Sequence, residues 1–175
     1  MIFAWLSVLI SIAIVVALFI SFWIFIFGDS PFLPAPMHVA KEVMKEAKIK
    51  KGQNFYDIGA GDGRFVHIAA SKYGANAKGF EIDPSVYLLA KLRQWIFGWK
   101  GTIIRANTNH QSLKDADVVF CYMMPKCLKK FQKKFEKEMK KGSKIVSYTF
   151  KVGTLKPKRH IPKNKKRNSI YIYEL

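Results

Sequence analysis

The chain has 175 residues, with 30 Lys and Arg against 12 Asp and Glu, for a formal net charge of +18. That length suits one domain. Two cysteines, Cys121 and Cys127, exclude a disulfide framework and have no metal-ligand spacing, and the scattered His38, His67, His110 and His160 form no ligand pair, so no metal is expected.

Residues 2–27 carry no charged side chain, and Ser7, Ser11 and Ser21 are their only hydroxyls. As a helix this stretch is about 39 Å long, more than the ~30 Å hydrocarbon core of a bilayer. A cleaved signal peptide fits poorly, because no Lys or Arg precedes the apolar run and residues 25–29 are a poor cleavage site. A buried core helix would be shorter and less uniformly apolar. The expectation is a transmembrane anchor over 1–28. Residues 29–36 hold Pro31, Pro34 and Pro36 and read as a stiff, extended connector. Residues 37–175 remain for the folded domain.

Within that domain, Val39, Ala40, Val43, Met44 and Ala47 form a helical stripe over 37–47. Strand one is expected at 54–58, a helix at 65–73, strand two at 77–82, and a helix at 84–97 that Pro84 opens. Strand three follows at 102–106 and strand four at 117–123. A helix over 125–140 buries Leu128, Phe131, Phe135 and Met139, spaced three and four apart, and Gly142 caps it. Strand five is expected at 143–150, then a basic loop with a short strand, and a closing strand at 169–174. Alternating strands and helices imply an α/β, Rossmann-like, doubly wound and mostly parallel sheet, with its ligand at the carboxyl ends of the strands.

The strand-one exit carries the chemistry. Residues 54–63 read N-F-Y-D-I-G-A-G-D-G, an extended apolar run ending at Asp57 and a turn with Gly59, Gly61 and Gly63 that opens a helix. This is the layout of a nucleotide-binding first βα unit. A dinucleotide would set its pyrophosphate against Asp57 and Asp62, which repel it. S-adenosylmethionine has no phosphate and carries a sulfonium and an ammonium, which carboxylates favour. Glu81 ends the next strand, 24 residues after Asp57, where an acidic residue meets ribose hydroxyls. The expected cofactor residues are therefore Asp57, Gly59, Ala60, Gly61, Asp62, Gly63, Glu81 and Ile82, and the expected chemistry is methyl transfer. Such a site mainly positions its two reactants. A supply of S-adenosylmethionine, together with the basic residues after the helix, places the domain on the cytoplasmic side of a single-pass membrane protein.

From Pro31 onward the chain resembles the small class I methyltransferases related to the mitochondrial lysine methyltransferases of the adenine nucleotide translocase and the ATP synthase c-subunit. The resemblance lies in Pro31–Pro36, in Tyr56-Asp57-Ile58-Gly59-Ala60-Gly61-Asp62-Gly63-Arg64, in Gly79-Phe80-Glu81-Ile82-Asp83-Pro84, in Asp115-Ala116-Asp117-Val118-Val119-Phe120, and in Ser147-Tyr148-Thr149-Phe150. The glycine motif alone is common to most class I enzymes, and its combination with the proline-rich entry and the strand-four run is more specific. The resemblance implies S-adenosylmethionine along residues 59–63 with Glu81 on its ribose. It also implies that residues 31–36 fold over the site, with Phe32 and Pro34 as gating candidates. The aspartate that usually follows strand three is replaced here by Asn107, or by Asn109, whose amide oxygen accepts the same hydrogen bond.

A lysine substrate must lose a proton before it reacts. At pH 7 only about 0.04% of an unperturbed lysine is neutral, and an apolar pocket that lowers its pKa removes the need for a strong base. Tyr122 and Met123 stand at the strand-four exit, Tyr122 as a weak candidate for orienting the amine and both as gating candidates; the alternative is that they only pack. Residues 126–168 hold seventeen Lys and Arg against Glu136 and Glu138, which suggests an anionic lipid surface, nucleic acid, or simply a solvated lysine-rich face. The favoured reading is a membrane-anchored protein-lysine N-methyltransferase acting on a membrane or membrane-proximal protein. An RNA or small-molecule methyltransferase, and an inactive binding module of the same fold, remain as alternatives.

Overall fold

The computed structural model describes residues 2–27 and 32–175, and within the first helix it leaves aside the side chains of residues 2, 4, 21 and 24–27. The expected boundary at 28/29, with Ser30 and Pro31 of the connector, lies outside the described residues. Thirteen elements follow in chain order: α1 (Ile2–Phe27), α2 (Met37–Ala47), β1 (Asn54–Ile58), α3 (Arg64–Tyr73), β2 (Asn76–Glu81), α4 (Pro84–Phe97), β3 (Thr102–Arg105), a single 3₁₀ turn (Thr108–His110), β4 (Val118–Cys121), α5 (Pro125–Glu138), β5 (Lys144–Tyr148), β6 (Arg159–Ile161) and β7 (Ile170–Glu174).

The strands form one seven-stranded sheet in the order β3-β2-β1-β4-β5-β7-β6, parallel except that β7 runs antiparallel to β5 and β6. The order reverses between β1 and β4, which opens a crevice at their carboxyl ends, where α/β sheets bind ligands. Ile58 is level with both Phe80 of β2 and Cys121 of β4, so three strand ends meet at one height. The central strands are buried on both faces. Along β4, Val118 and Phe120 join the core beneath α2 and α3, while Val119 and Cys121 join the core beneath α5. No helix joins β5 to β6 and only the 3₁₀ turn lies between β3 and β4, which is how a full seven-stranded sheet fits so short a chain.

Local chemistry sets the boundaries. The Asp83 carboxylate caps α4, accepting the N–H groups of Ser85 and Val86 at 2.8 and 3.1 Å, and Pro84 takes the first helical position. α5 stops at Glu138, short of the expected residue 140, and Gly142, at φ +81°, turns the chain into β5. The β6–β7 hairpin is tied to α2 by buried Arg167, whose Nε meets Glu42 at 2.5 Å and whose Nη1 donates to the carbonyls of Pro162 and Asn168.

The expected single-pass membrane localisation, with its transmembrane helix and cytoplasmic domain, is corrected here. Among the described residues no helix is long and apolar enough to cross a membrane. α1 instead lies along α4, where the Ser85 hydroxyl donates to the Ala17 carbonyl at 3.3 Å. The anionic-lipid contact expected of residues 126–168 loses its main support with the span.

Candidate active site

The carboxyl ends of β1, β2 and β4 open into a cavity of about 730 Å³. Its floor is the glycine turn. Gly59 and Ala60 both donate their N–H groups to the Phe80 carbonyl, at 3.0 and 2.9 Å, so the turn is fastened to the end of β2. Glu81 completes the fastening. It is 8% exposed, and its two oxygens accept the N–H groups of Gly61 at 2.8 Å and Asp83 at 2.9 Å. Burial raises its carboxyl above the ordinary range, against the lowering effect of these amides. Gly61 sits at φ +57°, and a Cβ there would come within 2.7 Å of the Phe32 ring, so neither backbone nor neighbour leaves space for a side chain.

Two carboxylates of the turn have different fates. Asp62 lines the cavity, but Arg64 and Arg93 neutralise it. Arg64 Nε meets Oδ1 at 2.8 Å, Arg64 Nη2 bonds Oδ2, and Arg93 Nη1 lies 2.7 Å from Oδ2. Asp57 lies under the turn, 1% exposed and outside the cavity lining, and neither of its oxygens has a hydrogen-bond partner. Burial first, then the charges of Glu81 and Asp62, hold its carboxyl well above the usual range. An unpartnered buried carboxylate is costly, so its presence calls for a cationic or donor group at this end of the cavity.

Residues 32–36 of the proline-rich segment form a strap over the turn. The same Arg64 that grips Asp62 donates through Nη1 to the Ala35 carbonyl, and Phe32 rests on Gly61. Phe32 and Pro34 line the cavity, and so do Leu18, Phe22 and Trp23 of α1. On the far side stand Tyr122 and Met123, at the exit of β4, and Phe131 of α5. Tyr122 packs edge-on to Tyr148, with ring centres 4.9 Å apart, and the Tyr148 hydroxyl accepts the Asn168 N–H at 3.1 Å. Burial raises the Tyr148 phenol. The next residue, Thr149, has φ +75°, a strained backbone for a β-branched side chain at the end of β5.

Of the residues expected from sequence, Gly59, Ala60, Gly61, Asp62, Glu81, Ile82, Asn107, Phe32, Pro34, Tyr122 and Met123 all meet around this cavity. Asp57 and Gly63 do not line it. Gly63 instead ends the turn as the residue before α3, where a Cβ would lie 3.2 Å from Ile103. Asn107 caps the 3₁₀ turn, its side-chain oxygen accepting the Asn109 N–H at 3.0 Å, and Asn109 lines the cavity as well. Sequence reasoning missed the Arg64 latch, Arg93, and the contributions of α1 and α5. Arg64 stood beside the glycine motif, but nothing in a linear pattern names a carbonyl 29 residues away as its partner. Among the described residues no group of three or more His, Cys, Asp or Glu is placed to hold a metal ion.

A 3-2-1-4-5-7-6 sheet with a glycine turn after β1, a carboxylate at the end of β2 and a cavity above both defines a class I S-adenosylmethionine-dependent methyltransferase. The ANTKMT methyltransferase domain family matches residues 57–159, and the chain belongs to it. It is similar to a protein-lysine N-methyltransferase of Saccharolobus islandicus (strain REY15A), 26% identical over 82% of this chain and 92% of that protein. It is also similar to the adenine nucleotide translocase lysine N-methyltransferase of Mus musculus, 29% identical over 73% of this chain and 56% of that protein, so the chain spans about half the length of that relative. Among solved structures, an RNA methyltransferase from Salinibacter ruber in complex with S-adenosyl-L-homocysteine aligns with a TM-score of 0.75 at 26% identity, covering 81% of this chain and 93% of that one.

Proposed function

We propose that this enzyme transfers a methyl group from S-adenosylmethionine to the side-chain amine of a lysine in a protein substrate. The observation that carries the cofactor assignment is Asp57, a buried carboxylate without a partner beneath a glycine turn. In this reading Asp57 stabilises the positive end of the cofactor's methionine moiety, the backbone of residues 59–61 admits it closely, and Glu81 takes the ribose hydroxyls on the lone pairs its two amide bonds leave free. Asn107 and Ile82, which line the cavity, would border the adenine. Bound there, S-adenosylmethionine supplies a methyl group on a positively charged sulfur, an electrophile for an amine.

The protein's own residues then do two things. Phe32, Phe120, Met123 and Phe131 make the cavity wall largely apolar, which favours the neutral form of an entering amine over its ammonium. Tyr122, held edge-on by Tyr148, is the candidate that orients the amine's lone pair. Bulk solvent takes the proton the amine releases, and no strong base is required.

The lysine reading is supported by the family and by the names of its relatives. The expected restriction to membrane proteins rested on an anchor and a short connector, and is not carried forward. A second reading, RNA methylation, is favoured by the Salinibacter ruber structure and by the basic surface. Incubating the purified enzyme with tritiated S-adenosylmethionine and a cell extract, then hydrolysing the labelled protein, separates the two. Label recovered as methyl-lysine supports the proposal, and label that ribonuclease releases while no methyl-lysine is found overturns it.

A further inference from the structure

We infer that the exposed lysine face of α5 is a docking surface for acidic residues in the substrate protein, so that the enzyme selects lysines with Asp or Glu a few residues to one side. This rests on the protein-lysine reading above. The first turns of α5 form part of the cavity wall through Cys127, Lys130 and Phe131. The helix therefore leads away from the cavity that, in the lysine reading, receives the target amine. It carries six lysines against two glutamates. Its apolar face, Cys127, Leu128, Phe131 and Phe135, is buried, which leaves Lys126, Lys129, Lys130, Lys133 and Lys137 exposed. Lys129, Lys133 and Lys137 are four residues apart and lie along one line of the helix.

The two glutamates do not cancel this charge. Glu138 accepts the Leu113 N–H at 2.9 Å and pairs with Lys134 at 2.8 Å, on the side turned toward the domain, and exposed Glu136, which accepts the Gln132 amide at 2.9 Å, offsets only one of the five exposed lysines. From Lys126 to Lys137 the helix rises about 16 Å. An extended peptide covers that distance in about five residues. The geometry thus matches a target lysine in the cavity with carboxylates within about five positions of it. A nucleic-acid partner is the poorer match. All six cations of α5 are lysines, with no arginine fork for phosphate, and the helix's two aromatic rings are buried, so no stacking surface is offered.

The test uses the full-length protein and three peptides that share one central lysine and carry Asp/Glu, Gln or Lys at the flanking positions. Methyl incorporation from tritiated S-adenosylmethionine gives kcat/KM for each. The expected result is an acidic-over-neutral preference on the order of ten-fold at low salt, from several exposed pairs of modest strength, which shrinks as salt is raised. The triple variant Lys129→Gln/Lys133→Gln/Lys137→Gln changes residues outside the cavity. It should lose that preference while keeping its rate on the neutral peptide and its cofactor affinity. Equal rates on all three peptides overturn the docking surface alone, and so does a triple variant that keeps the acidic preference. Failure to methylate any lysine peptide, with a single-stranded RNA accepting label instead, overturns the lysine reading and this inference together.

Discussion

The rim of the sheet changes sign from one side of β1 to the other. On the β1–β2 side four buried acids, Asp57, Asp62, Glu81 and Asp83, crowd a few residues of backbone. On the β4–β5 side the exit strands carry Tyr122 and Tyr148, and the connecting helix is sheathed in lysine. The acidic half is buried and inward-facing. Its carboxylates are fixed by backbone N–H groups and two arginines, and one is left without a partner. The cationic half is exposed and its side chains are long. Buried acids fixed by backbone suit a ligand that is always the same, whereas a solvated charged face suits partners that vary in detail. The cofactor reading belongs to the first half and the substrate reading to the second.

The comparison breaks most severely at the turn. Gly61→Val should lower S-adenosylmethionine affinity by about a hundredfold, or about 2.8 kcal/mol, because the new side chain meets Phe32 and the backbone resists φ +57°. Calorimetric titration of the variant measures this. Glu81→Ala should weaken cofactor binding by about 1–3 kcal/mol, the loss of a charged acceptor and of the clasp between turn and β2. Unchanged affinity in that variant would remove Glu81 from the cofactor site.

A third test sharpens the acidic side through pH. The Asp57 carboxyl ionises in the ordinary range when the chain is unfolded and only at higher pH when it is folded. Between those two points the folded protein holds the extra proton, so its stability falls as pH rises through the window. Urea unfolding of the cofactor-free protein should show that decline, and Asp57→Asn should flatten it. In the same window cofactor affinity should rise with pH in the wild type and not in the variant, since a cation binds the ionised form. Smaller effects lie at the latch and across the rim. Arg64→Ala frees the strap from the turn and should reduce turnover about five-fold, or about 1 kcal/mol, with faster proteolysis near residue 35 as an independent readout. Tyr148→Phe removes the acceptor of the Asn168 N–H and should cost about 0.5–1 kcal/mol in thermal unfolding, with little effect on cofactor binding.

The parts that sequence made legible are those in which neighbouring residues decide one another's conformation. The helix at 37–47 and its five buried positions follow from spacing alone, and so does the turn after β1, because glycines at positive φ have few other uses. Pro84 marks the start of α4 to the residue. What stayed hidden depends on separations that no window spans. Arg64 reaches Ala35, Arg167 reaches Glu42, and Leu18 and Trp23 arrive at the cavity from the other end of the chain. A short strand is expected in the basic loop, but its place at β6 is not readable, because its three residues R-H-I carry no period and are held by pairing with β7. Asp57 is intermediate. Its type and place were readable, but its lack of any partner is a property of three dimensions.

The wall that α1 contributes has a practical consequence for anyone who prepares this enzyme. Shortening the chain to begin at Met37 is the obvious way to shed its greasiest portion. It would also delete Leu18, Phe22, Trp23, Phe32 and the carbonyl that Arg64 holds, and so leave the cavity roofless. Such a trimmed enzyme keeps every residue of the glycine motif. Its affinities and turnover would then describe a wider, more open cavity than the one the longer chain forms.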